Sequence, residues 1–155
     1  MYLNLTALPI AARLVYELSL ELTHDLEQVS LAQALTLDES RPLMGLKGTY
    51  GLFGSKEWWG NIANGIMPTK IVSGVIERVY ASGQDVENEI NTMDIISDEG
   101  EHLMEGIYFN SGEEISLYRV GAKVHIFYAL DPLKAQASNG GAARFSEIVV
   151  EVAIS

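Results

Sequence analysis

The sequence predicts a mainly β, α+β chain built on a small antiparallel barrel, and three observations carry that prediction. Between Lys70 and Leu133, short β-branched and aromatic runs alternate with Gly, Asn, Asp and Ser, the pattern of consecutive strands joined by tight turns. One short segment, Lys56 to Ala63, has a capping residue at each end and carries both tryptophans, which marks a helix. The last run, Arg144 to Ile154, alternates apolar with polar or small residues and reads as a further strand. At 155 residues the chain has the size of one domain. It divides into an N-terminal segment 1–42, a barrel core 43–133 with strands from about 46, a flexible loop 134–143 and a C-terminal strand 144–154.

The N-terminal segment supports two readings. Pro9 suits the first position of a helix, and Leu14, Val15, Leu18, Leu22, Leu26 and Val29 recur at helical spacing, so that residues 9–36 read as one helix. The same stretch also alternates, with Tyr16, Leu18, Leu20 and Leu22 set against Glu17, Ser19, Glu21 and Thr23. We favour a strand over Leu14–Thr23 followed by a helix over Leu26–Leu37, opened by Asp25 and Gln28 as a capping pair. Asp38 to Pro42 is a loop, because the proline ring disfavours helix at Arg41.

Gly45, Gly48, Gly51 and Gly54 then recur at every third residue. The spacing matches neither phosphate-binding pattern, G-x-x-x-x-G-K-[ST] or G-x-G-x-x-G, and four triplets without the needed prolines do not make a collagen-like helix. The expectation is a bent strand from about Leu46 to Phe53, approached closely by neighbouring backbone where side chains are missing. Ser55 caps the following helix and Asn64-Gly65 stops it. Neighbours on a helix point about 100° apart, so at most one of Trp58 and Trp59 is wholly in the core. The other is a candidate partly exposed aromatic, either a lid over one end of the barrel with its indole N–H bonded to a carbonyl or an anchor for binding.

From Lys70 the pattern predicts a long strand bendable around Gly74, a break at Ser82-Gly83-Gln84-Asp85, a strand over Asn91–Ser97, and a tight turn at Asp98-Glu99-Gly100. A third strand follows over Glu101–Phe109, then a turn at Asn110-Ser111-Gly112, a brief helix or irregular bridge to Val120, and a strand over Lys123–Leu130 ended by Pro132. That order, entered at the end through Leu117-Tyr118-Arg119-Val120-Gly121, resembles small five-stranded barrels of the OB or SH3-like kind. The resemblance covers Lys70–Leu133, is one of architecture, and implies no function. The C-terminal strand needs a partner for its backbone groups, and residues 14–23 are the natural candidate.

Composition narrows the chemistry. With no cysteine there is no disulfide framework, thiolate metal site or cysteine nucleophile. The apolar N-terminus has neither a basic leader nor an uncharged membrane span, so the expectation is a cytoplasmic protein. Ten basic residues stand against 21 acidic ones, a net charge of -11. Such a balance opposes binding to nucleic acid and to anionic membranes and favours a cationic protein partner. The bias is concentrated: between Arg78 and Arg119 there is no Lys or Arg, and ten acids occur there.

No combination of residues amounts to a catalytic signature. His24, His102 and His125 lie outside any compact ligand spacing. His102 stands out only because Glu99, Glu101 and Glu105 surround it and favour its charged form. The acidic turn at Asp98 and the loop Asp85-Val86-Glu87-Asn88-Glu89 lack the D-x-[DN]-x-[DN]-G pattern of a calcium loop and read as a solvated acidic face. There is no G-x-S-x-G nucleophile elbow, no pair of acids is singled out, and no cofactor is implied.

The favoured function is therefore a small acidic, non-enzymatic protein-binding module that docks or neutralises a basic protein. In size, charge and lack of motifs the chain resembles toxin-immunity proteins, which neutralise basic effectors. Its candidate binding residues are Trp58, Trp59, Asp98, Glu99, Glu101, His102, Glu105 and Tyr108, acids to steer a cation and aromatics to anchor it. A structural or homo-oligomeric role, through the apolar residues 1–37 and the terminal strand, ranks second. Single-stranded nucleic-acid binding by an OB-like barrel ranks third, with Tyr80, Tyr108, Phe109, Tyr118, Phe127 or Tyr128 as stacking platforms and no basic groove to help them.

Overall fold

A computed structural model describes residues 2–8, 11–83 and 89–155. It contains β1 (Arg13–Glu17), α1 (Leu18–His24), α2 (Leu26–Leu37), α3 (Lys56–Ala63), β2 (Thr69–Tyr80), β3 (Thr92–Ser97), β4 (His102–Gly106), β5 (Lys123–Pro132) and β6 (Phe145–Ile154). The fold is mainly β: one six-stranded antiparallel sheet in the order β1-β6-β5-β2-β3-β4, curled into a half-barrel, with a few short helices. Pro9 as a helix start, and Gln84 to Asn88 of the break and acidic loop, lie outside the described residues.

The sheet is wider than the Lys70–Leu133 stretch. β6 lies between β1 and β5, pairing Arg13 with Ile154 and Glu17 with Glu151, so the C-terminal strand does find the N-terminal one. On its other side Lys123 and Ser155 exchange both main-chain hydrogen bonds, at 3.0 and 2.9 Å. β5 and β6 are buried along most of their length, and β6 passes from an alternating pattern at its start to continuous burial from Val149. A strand flanked by neighbours and covered on both faces shows this loss of alternation.

Two expected strands are corrected. Strand β1 ends at Glu17, and Leu18–His24 is helical. A strand would have placed Leu18, Leu20 and Leu22 on one face. The helix instead buries Leu18 and Leu22, four residues apart, and leaves Leu20 43% exposed. The second correction is Leu46–Phe53, which is no strand: its one bridge joins Leu46 to Leu133, and the rest is a succession of turns. The four glycines have φ of 88°, 81°, 99° and 76°. A left-handed residue at every third position reverses the chain too often for a ladder to form, so the triplet spacing encodes turns. The third strand is also shorter than expected, ending at Gly106.

Other local signals give the elements they imply. Asp25 accepts from the Gln28 amide at 3.2 Å to open α2, and Ser55 accepts from the Trp58 amide at 3.2 Å to open α3. Asn64 is the C-cap of α3, followed by Gly65 at φ 71°. Gly112–Leu117 is a short 3-10 helix where a brief helix or bridge was expected.

The chain forms two compact units. The first comprises Met1–Glu17, Ile71–Phe127 and Val150–Ser155. Its core includes Val15, Ile76, Met93, Ile95, Val124, Ile126 and Val152, all buried. β2 crosses β3 at Gly74, where an added Cβ would meet the Ile96 carbonyl oxygen at 2.4 Å and the Ser97 Cα at 2.9 Å. The strand itself is offset two residues further on, by a bulge between Ile76 and Arg78. Buried His125 sits between β2 and β6, its Nδ1 2.8 Å from the Ser73 hydroxyl and its Nε2 3.4 Å from that of Ser155.

The second unit comprises Leu18–Lys70 and Tyr128–Val149. Its core includes Leu18, Leu22, Phe53, Trp58, Ile62, Met67 and Ala129. The Lys134 ammonium donates to the carbonyls of Leu35 (2.6 Å), Asp38 (3.2 Å) and Arg41 (3.1 Å), closing the C-terminal end of α2, where the helix leaves carbonyls unpaired.

Candidate functional site

Ser97, Asp98, Glu99 and Gly100 form the turn between β3 and β4, with the Gly100 amide donating to the Ser97 carbonyl at 2.9 Å and Gly100 at φ 87°. The turn and the start of β2 enclose a groove of about 200 Å³ lined by Ile71, Val72, Ser73, Ser97, Asp98, Glu99, Glu101 and Leu103. Three of the sequence-derived candidates, Asp98, Glu99 and Glu101, therefore meet at one place. Asp98 is bonded to the Lys123 ammonium. Among the described residues, Glu99 and Glu101 have no ion pair, and both are exposed. The groove combines apolar walls with uncompensated negative charge.

The outer face of the β2–β3–β4 sheet continues from this turn. The register sets Val75, Ile96 and His102 in one row and Arg78, Asp94 and Met104 in the next. His102 Nδ1 lies 3.3 Å from Glu77. Arg78 stacks over the Tyr80 ring at 4.2 Å, and the Tyr80 hydroxyl donates to Asp94 at 2.9 Å, which holds the phenol proton more tightly than usual. Met104 is 71% exposed and Val75 41%. Neither was singled out in the sequence. The alternation of β4 with β3 was the available signal, since it fixes Met104 outward once Leu103 turns inward.

Glu105 is half-buried and its Oε1 accepts from the Gly106 amide at 2.8 Å. Tyr108 is half-buried too, its ring tilted against Tyr16 at 5.1 Å, and its carbonyl accepts from the Tyr118 hydroxyl. Burial, and then the charge of Glu105, raise the Tyr108 phenol above its ordinary pKa.

The tryptophans belong to the second unit. Trp58 is 0% exposed, its indole Nε1 donating 2.8 Å to Asp131 Oδ2, with Phe53 and Trp59 edge-on at 5.0 and 4.9 Å. Trp58 as a binding contact is thereby corrected: it is a core residue. Trp59 is half-buried and keeps part of its surface. Asp131 is fully buried, its Oδ1 has no hydrogen-bond partner among the described residues, and burial raises its pKa, partly offset by the indole donor. A second buried acid, Glu151 on β6, accepts from the amides of Tyr2 and Leu3, the latter at 3.2 Å. Acids placed in apolar strands, Asp131 in Ala-Leu-Asp-Pro and Glu151 in Val-Val-Glu-Val, were the sequence signal for such buried anchors.

Among the described residues no helix is long and apolar enough to cross a membrane. The fold and the acidic, partly apolar outer face of its sheet describe a small β-rich domain whose accessible chemistry suits recognition of another macromolecule. The chain belongs to the family described as Immunity protein RhsI2, whose sequence profile matches residues 12–155. It is thus a protein-binding module of the immunity-protein kind. No curated protein matches it.

Proposed function

We propose that this chain is a non-enzymatic immunity protein that binds a basic protein toxin in the cytoplasm and neutralises it by occupying its surface. The observation that carries the reading is the meeting of Asp98, Glu99 and Glu101 in one groove with the apolar Ile71, Val72 and Leu103. Negative charge steers a cationic partner and raises its association rate, while apolar walls supply contact area once the partner is seated. His102 and the exposed Met104 extend the same surface. Tyr108 contributes the accessible part of its ring. The test is co-expression with a toxin domain that arrests growth, followed by purification of the complex. Rescue of growth, with an association rate that falls as salt rises and falls again in Glu99→Gln/Glu101→Gln, is expected. A neutralised toxin that is itself acidic, or association indifferent to salt, overturns the basic-partner reading.

A second reading, self-association, draws on α2. Leu26, Leu31 and Leu37 are exposed on this helix, which buries no residue, and Leu43 and Met44 are exposed just after it. Sedimentation of the purified chain decides it: a monomer at high concentration removes this reading.

A further inference from the structure

The terminal strands of the sheet are finished differently. Along β1, Asn110 occupies the outer edge: its amide donates to the Val15 carbonyl at 3.1 Å, its Oδ1 accepts from the Glu17 amide at 2.7 Å, and its Nδ2 donates to the Glu17 carbonyl at 3.2 Å. Along β4 nothing comparable occurs. The Ser97 amide donates to the Glu101 carbonyl at 2.8 Å and the Ile107 amide to the Asn91 carbonyl at 2.9 Å, so residues 101, 103, 105 and 107 turn their main-chain groups toward β3. His102, Met104 and Gly106 turn theirs away. The Gly106 amide is taken by the Glu105 side chain, whereas the amides and carbonyls of His102 and Met104 have no hydrogen-bond partner among the described residues.

An edge of this kind is a template for an added strand. The surrounding charge selects the occupant. A second copy of β4 would set Glu99, Glu101 and Glu105 against the same acids, in a chain whose net charge is -11. A cationic segment meets no such repulsion and finds Glu99 and Glu101 at the end of the strand, without an ion pair among the described residues. We propose that β4 accepts an extended, lysine- or arginine-rich segment of the partner as an added strand, hydrogen-bonded to the main chain of His102 and Met104, with its basic side chains over the Glu99–Glu101 turn and its apolar ones against Met104. This mode of docking rests on the protein-binding reading above and deepens it. Main-chain bonds hold any extended segment, and the acids restrict which segments approach.

The experiment uses the full chain, labelled with nitrogen-15, and an end-capped heptapeptide of alternating Lys and Val as probe. It is titrated beside the same peptide N-methylated throughout, which has equal charge and no strand donors, and beside a Glu-Val counterpart. Shifted and exchange-protected amides at His102 and Met104 with the Lys-Val peptide are expected, together with affinity about tenfold or more weaker for the N-methylated peptide. Met104→Pro, which removes an outward amide and no ladder bond, is expected to weaken the Lys-Val peptide to a similar extent. Equal binding of the methylated peptide, protection located elsewhere, or no binding of the Lys-Val peptide at low salt overturns the added-strand inference. Equal binding of the Glu-Val peptide through the same amides instead overturns the basic-partner reading and leaves the open edge standing.

Discussion

The edges β1 and β4 are both five residues long and both close the same sheet, yet one is sealed by an asparagine while the other leaves the main chain of His102 and Met104 without a partner among the described residues. An unpaired strand edge invites association with other chains, and proteins block it with side chains, charges or short length. At β1 the block is a side-chain amide that imitates a peptide group, taking both the donor and the acceptor of Glu17. At β4, among the described residues, a side chain covers the outward amide of Gly106 alone, and short length and nearby acids, which repel like-charged edges and admit positive ones, protect the rest. The difference teaches where this molecule is closed to partners and where it is not.

The largest expected effect removes the ground beneath the open edge. Gly74→Ala drives a methyl group into the Ile96 carbonyl, a main-chain atom that cannot swing aside, and is expected to cost about 3 kcal/mol in urea unfolding. Amide exchange should then rise first along β3 and β4 while β1 keeps its protection; equal loss at both edges would show that they do not report on separate parts of the sheet. Next comes opening the sealed edge. Asn110→Leu deletes two side-chain bonds and leaves the Glu17 amide and carbonyl unpaired, for about 2 kcal/mol of lost stability and concentration-dependent sedimentation. Unchanged stability would mean that the asparagine is not what seals β1. Met104→Pro at the open edge is expected to shift the unfolding free energy by less than about 1 kcal/mol, since the amide it removes has no partner among the described residues. A loss as large as that of Asn110→Leu would reveal an edge already occupied.

The smallest effect is set by pH. His125 lies between the two sides of the sheet, bonded toward β2 through Ser73 and near β6 through Ser155. Burial, and then the charge of Lys123, lower its pKa below the ordinary value, with Asp98 opposing. A depressed folded pKa means that the fold favours the neutral ring. Its stability contribution is therefore full above the unfolded imidazole range near 6.5 and declines as pH falls from there toward the folded value. His125→Gln should flatten that decline in thermal unfolding curves; an unchanged slope would assign it to another group.

Local signals were legible where one residue performs a local task. Asp25, Ser55 and Asn64-Gly65 end helices by satisfying their own nearby backbone groups, and Gly100 makes the turn between β3 and β4, so each could be read within a few residues of itself. Leu18–Thr23 could not, because its letters fit periods of both 2 and 3.6, and burial of Leu18 with Leu22 decided for the helix. The Gly45–Gly54 run was visible as a period but not as turns, since glycine serves bent strands and left-handed turns alike. Of the candidate site, the acidic turn was legible from composition. The burial of Trp58 against Asp131 was not, because the two are 73 residues apart and only packing joins them.

By itself the sequence determined the class of the protein: a mainly β chain with a strong negative charge, its acids concentrated before Arg119, and helices bounded by their own caps. These follow from short-range sterics, periodicity and the count of charges. Only the tertiary structure decided which strand edges remained. The pairing of β6 with β1 and the reach of Asn110 to Glu17 join residues more than ninety positions apart. Such pairings depend on the cooperative burial of the sheet as a whole, and that burial leaves β4, flanked by acids, with the main chain of His102 and Met104 turned outward.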